Sequence, residues 1–151
     1  MDASTLRSQR LALALHRATA IIDRAADDYL RPAHDIGISI FAALVTIDAL
    51  GPASQRAIAD GLDVSRSAVT QRLAELDRRG LVRVVPDPGD QRANLVELSD
   101  AGRTLLAEAW HGLARHDDGL EEGVDLEVLQ AELDRFIANG ERRLAARKAS
   151  T

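Results

Sequence analysis

The sequence predicts a mainly α-helical fold with one small β-hairpin, and three observations carry that prediction. Apolar residues recur at spacings of four and three over residues 5–30 and again after Asp125, as amphipathic helices require. β-branched and apolar residues bunch in Leu81–Val85 and Ala93–Leu98, with the turn formers PDPGDQ between them. Between Ser54 and Arg79 lie two short helical patterns separated by the turn Gly61-Leu62-Asp63-Val64.

Each element follows in order. Residues 5–30 form a long helix, with Leu11, Leu15, Ala18, Ile22, Ala25 and Tyr29 on one stripe and Arg17, Asp23, Arg24 and Asp27 outside it. Pro32, which lacks a backbone donor, and Gly37 are expected to break it within RPAHDIG. Ser39 is the expected N-cap of a second helix over 40–50, with Ile40, Phe41, Leu44 and Ile47 on one face and Gly51-Pro52 as its stop. Ser54 starts a third helix ending near Gly61, and Ser65 starts a fourth running to about Arg79. Ile58, Ala59, Leu62, Val64, Val69, Leu73 and Leu76 hold these two across their turn, where Gly61 or Asp63 supplies a left-handed residue. After the hairpin, Ser99 caps a helix bearing Leu105, Leu106, Trp110 and Leu113, which frays into HDDGLEEG. Asp125 opens a last helix with Leu126, Leu129, Leu133, Phe136, Ile137 and Leu144 on its apolar side.

This order of elements is that of a winged helix-turn-helix over residues 36–98, within a single chain domain 1–151. The flanking helices, 5–30 and 99–147, would expose too much aliphatic surface alone, so they are expected to form a homodimerisation region.

Composition narrows the function classes. With 46% hydrophobic and 28% charged residues the chain can bury a core, and with 3% aromatics that core is aliphatic. The absence of cysteine excludes a disulfide framework, a thiolate metal site and a thiol redox sensor. No apolar run reaches 18 residues and MDASTLRSQR lacks the layout of a secretory signal, so a cytoplasmic location is expected. The net charge of −5 weighs against nucleic acid, but the acid is concentrated after residue 92, while residues 51–92 are slightly basic. Screening over roughly 8 Å makes that local balance matter more than the total.

The outer side of the fourth helix offers Ser65, Arg66, Ser67, Thr70, Gln71 and Arg72. Arg can pair bidentately with guanine and Gln with adenine, while Ser and Thr suit base edges or phosphate. Taken alone such a face is ordinary solvated helix, and Ser65 only a cap; beside a hairpin it points to double-stranded DNA. In the hairpin, Asp90 and Arg92 are two apart, so both are expected on one strand face, the carboxylate orienting the guanidinium toward a minor groove. His16, His34, Phe41 and Trp110 could line a ligand crevice, or simply pack. His111 and His116 diverge around their helix, so with Asp117 and Asp118 they read as solvated residues and no metal is implied. No Gly-rich phosphate loop, nucleophile elbow or Cys–His pair is present; neither an enzyme nor a cofactor is expected.

The run from Ile36 to Leu106 resembles the multiple-antibiotic-resistance regulator (MarR) family of winged-helix repressors. The resemblance rests on IGISIFAALVTI, on IADGLDVSRSAVTQRLAELDRRGLVRVVPD and on GDQRANLVELSDAGRTLL, with the Asp-x-Arg pair at Asp90 and Arg92 and a Leu-Ser-x-x-Gly helix start. It implies an obligate homodimer whose terminal helices interlock, a pseudo-palindromic DNA operator, repression, and release by a small aromatic or phenolic effector. A winged-helix protein–protein interaction module without DNA binding is the alternative.

Overall fold

A computed structural model describes residues 3–149, which divide into two compact units, one up to His116 and the other from Asp117 on. The first unit holds α1 (Ala3–His34), α2 (Ile38–Leu50), α3 (Gln55–Leu62), α4 (Arg66–Arg78), β1 (Val82–Asp87), β2 (Asp90–Leu98) and α5 (Asp100–Leu113). The second holds α6 (Leu126–Ala149), opened by Asp125, whose Oδ1 accepts the Val128 N–H at 3.0 Å. Among the described residues no single helix is long and apolar enough to cross a membrane.

α1 runs through Pro32 rather than breaking there. The proline sits in the last turn, so the one bond it forfeits and the crowding by its ring fall where the helix is about to end. The stop is Asp35, with φ +53°, whose N–H still reaches the Arg31 carbonyl at 3.0 Å. Aspartate tolerates this left-handed geometry better than most residues.

α2 then departs at 86° to α1. Its N-cap is Gly37, not Ser39, which is exposed and already inside the helix. Gly37 has no side chain to cap with, and Asp27 of α1 supplies the acceptor instead: its Oδ1 takes the Ile38 N–H at 2.6 Å. Its Oδ2 accepts from Arg31 Nε at 3.0 Å and Nη2 at 2.8 Å. A residue assigned to the solvent side of α1 therefore starts the next helix.

The core is built around α2, which buries Phe41, Ala43, Leu44 and Ile47. Ile58 and Ala59 of α3, Val69, Leu73 and Leu76 of α4, and Leu106 and Ala109 of α5 close on it, with Leu81, Val82, Val96 and Leu98 from the hairpin. Leu62 and Val64 are half-buried at its edge. No polar or charged residue is buried among the described residues. Burying each large aliphatic side chain here contributes about 1.5–3 kcal/mol.

The α3–α4 turn is closed by Asp63, not Gly61. Asp63 adopts φ 52°, ψ 46°, and the next N–H, on Val64, bonds the Ala59 carbonyl at 3.1 Å. Gly80, at φ +68°, turns the chain from α4 into β1. The two strands pair antiparallel from Val82↔Leu98 to Pro86↔Asn94, and only Pro88 and Gly89 remain as loop, a shorter turn than PDPGDQ suggested. Ala53 bonds Val96 in both directions, at 3.0 and 2.8 Å, and so fastens the hairpin to the segment before α3.

Candidate nucleic-acid interface

α4 is fixed by its underside. Ser65 Oγ accepts the Ala68 N–H at 3.2 Å, capping the helix, and Val69, Leu73 and Leu76 face the core. Helical geometry then sends Ser67, Gln71 and Ala74 directly away from the core, and all three are exposed. Arg66 and Thr70 are exposed on one flank; Arg72 lies on the other and is half-buried.

The polar groups differ in what they still offer. Ser65 Oγ is engaged twice, by Ala68 and by Ser67 Oγ at 3.0 Å, so its role is local. The Thr70 hydroxyl donates to the Arg66 carbonyl at 2.8 Å, which leaves its oxygen as an acceptor facing outward. Arg66, Gln71 and Arg72 make no side-chain hydrogen bond or ion pair with any described residue. Arg78, at the far end, is held by Glu75 in a bidentate pair at 2.7 and 2.8 Å. That bond keeps the Glu75 carboxyl below its ordinary range and raises the Arg78 guanidinium further above its own. The unpaired positive charge of α4 thus sits toward its N-terminal half, where the helix dipole also attracts a phosphate.

The hairpin tip differs from the alternation expected of it. The register skips between Pro86 and Asp87, pairing Asp87 with Asp90, so Asp90 and Arg92 do not follow the two-residue rule of a regular strand. Asp90 Oδ1 accepts the backbone N–H of Arg92 at 2.9 Å, and Asp87 Oδ1 that of Gly89 at 2.8 Å. Both carboxylates shape the tip's backbone rather than hold the guanidinium. The Arg92 side chain is exposed and has no ion-pair partner among the described residues. Lower on the hairpin, Arg83 Nε bonds Glu97 Oε1 across the strands at 2.6 Å.

The four ligand-crevice candidates separate. Phe41 and Trp110 meet edge to face at 5.0 Å. His34 Nε2 lies 3.3 Å from Tyr29 Oη, and Tyr29 also stacks against His116 at 5.3 Å. His16 is exposed 18 residues earlier on α1, about 27 Å away along the helix. Tyr29 was legible only as part of the apolar stripe. Its hydroxyl fits because residue 112 is glycine: a Cβ there would lie 1.5 Å from that oxygen. His111 Nε2 is 3.1 Å from Arg115 Nη1, and no metal-holding cluster exists among the described residues.

The role of one residue here escaped the sequence reading, which used it only as a helix end. Arg79, just past α4, donates from Nη1 to the Asp35 carbonyl at 2.7 Å and from Nη2 to the His34 carbonyl at 3.2 Å. Partners 44 and 45 positions away leave no local signal.

Comparisons with known proteins agree with this geometry. Residues 34–93 match the MarR family model. The HTH-type transcriptional repressor NicR of Pseudomonas putida is 35% identical over 66 residues, 44% of this chain and 42% of that repressor's length. The transcriptional regulator BldR from Sulfolobus solfataricus superposes with a TM-score of 0.79 at 24% identity, over 92% of this chain and 99% of that one. The transcriptional repressor CouR, solved on a 23-mer DNA duplex, gives 0.74 at 28% identity over 93% and 98%. CouR from Rhodococcus jostii RHA1 has also been solved with p-coumaroyl-CoA, and that structure gives 0.72 at 24% identity over 85% and 90%. Residues 34–93 thus match the MarR family, and the chain as a whole is similar in fold to winged helix-turn-helix transcriptional regulators of known structure.

Proposed function

We propose that this protein is a homodimeric repressor that binds a pseudo-palindromic DNA operator and releases it on binding a small aromatic or phenolic effector. One observation carries the reading: α4 is pinned by Val69, Leu73 and Leu76 while Arg66 and Gln71 stand outward unpaired, beside Ser67 and Thr70, whose hydroxyls are each engaged once within the helix. Residues 36–98 then read DNA, with Ser65 capping the reading helix, Arg72 at its edge and Arg92, on a tip shaped by Asp90, reaching the minor groove. Residues 5–30 and 99–147 supply the dimer contact, since both regions carry large exposed apolar side chains such as Ile22 and Phe136. Two copies of α4 would enter successive major grooves with half-site centres roughly 10 bp apart. The aromatic groups Phe41, Trp110, Tyr29 and His34 support the effector part, which CouR's p-coumaroyl-CoA complex parallels. His16, about 27 Å away along α1, stands apart from them. Coupling between effector and DNA would be worth about 1–3 kcal/mol.

The test is a titration of fluorescent duplex, drawn from the promoter beside this gene, at several salt concentrations. Affinity should fall steeply as salt rises, and Arg92→Ala should lower the log–log slope by about one while leaving thermal melting unchanged. If the wild type shows no salt-dependent retention on any DNA, the reading fails and a winged-helix protein–protein module takes its place.

A further inference from the structure

We infer that Arg79 is a positioning residue that sets the orientation of the reading helix relative to α1, and hence the half-site spacing the dimer accepts. The inference rests on the dimeric DNA-binding reading above and adds a residue that touches no DNA. Among the described residues, the guanidinium of Arg79 makes the only side-chain hydrogen bonds between the α4 end and α1. Both acceptors are carbonyls at the C-terminus of α1, where helical partners run out and the dipole is negative. One of them belongs to Asp35, the left-handed residue that ends α1, so the tie grips the corner between α1 and α2. The bidentate fork fixes direction as well as distance, which a single bond would not.

His34 sits at both ends of this arrangement. Its carbonyl holds Arg79, and its ring bonds Tyr29, whose hydroxyl is seated over Gly112 of α5. Arg79 is also the residue at which α4 ends, its own N–H bonded to the Glu75 carbonyl at 3.2 Å. Rotation of α4 about its core contacts is therefore resisted at its C-terminal end by α1. In a dimer held through α1, loosening that end lets the two reading helices take a wider range of separations.

The experiment selects binding sites from a randomised duplex pool with full-length wild type, Arg79→Gln and Arg79→Lys, and measures each variant on duplexes whose spacer is one base pair longer or shorter. The wild type should enrich one spacing and lose about tenfold on a changed spacer, within the usual range of coupling effects. Arg79→Gln should keep the same half-site bases but lose less than about threefold on the changed spacer. Arg79→Lys, which keeps the charge without the fork, should fall between, and it carries the test if the glutamine variant does not fold. A variant that melts lower yet keeps the sharp wild-type spacing overturns the inference and makes Arg79 merely structural. A shift in half-site bases also overturns it. If wild type enriches no repeated half-site, the DNA reading itself has failed, and this inference with it.

Discussion

At the scale of single residues, Asp27 does the most with least advance notice. Burial pushes its carboxyl up, yet the Ile38 N–H bond and the Arg31 guanidinium outweigh that and leave it below its ordinary 3.8. Because the folded value is depressed, the stabilisation is complete above that ordinary value and is lost as pH falls through the folded one. Asp27→Asn keeps an acceptor for Ile38 but surrenders the charge and the pair with Arg31. It should cost on the order of 1 kcal/mol near neutral pH, the size of a cap substitution. The gap between wild type and variant should close as urea unfolding is repeated from pH 5 toward pH 2. A gap that stays constant over that range would mean the ionised carboxylate is not its source.

Elements show why some of this molecule is readable and some is not. α3 and α4 could be placed from sequence because each carries its own cap, Ser54 and Ser65, and a stripe spaced for one face. The start of α5 was equally plain: Ser99 Oγ accepts the Gly102 N–H at 3.0 Å and donates to the Gly80 carbonyl at 2.6 Å. Asp27 and Arg79 were hidden because their partners lie 11 and 44–45 residues away, beyond any periodic signal. The Asp90–Arg92 geometry was missed because a register skip breaks the alternation that the spacing argument needs. α5 also depends on a glycine for a reason no spacing discloses. A Cβ on Gly102 would stand 2.0 Å from the Leu81 carbonyl oxygen, and that backbone is already engaged by the Ser99 N–H at 3.0 Å. Gly102→Ala must therefore displace α5 from the hairpin. A loss of about 1–3 kcal/mol or more is expected, as for other overpacked sites. Thermal melting measures it, and amide exchange should rise first at Leu81 and Ser99. Unchanged melting would show that the contact relaxes freely.

For the whole molecule the deciding quantity is apolar surface left in water. Ile22 on α1 is 57% exposed, and Phe136 and Leu144 on α6 are 56% and 61% exposed. Neither helix is polar enough on those faces to be content alone, and a stable interface needs about 800 Å² from each partner. In the proposed homodimer a second copy of the chain would cover both helices by symmetry, which a foreign partner would not. Sedimentation should accordingly give roughly twice the chain mass of 16.3 kDa. The melting temperature should rise with protein concentration, because association stabilises the folded state by mass action. Ile22→Arg and Phe136→Arg, made separately, place a charge where the partner's aliphatic side chains would close. Each should shift the protein toward monomer and remove the concentration dependence of melting. Affinity for a two-half-site duplex should then drop by about a hundredfold or more, since the second half-site is no longer held nearby. A variant that remains dimeric would clear its helix of any part in the interface. A monomeric variant that still bound the full site at wild-type strength would separate dimerisation from DNA reading, and the repressor would have to act through one lobe.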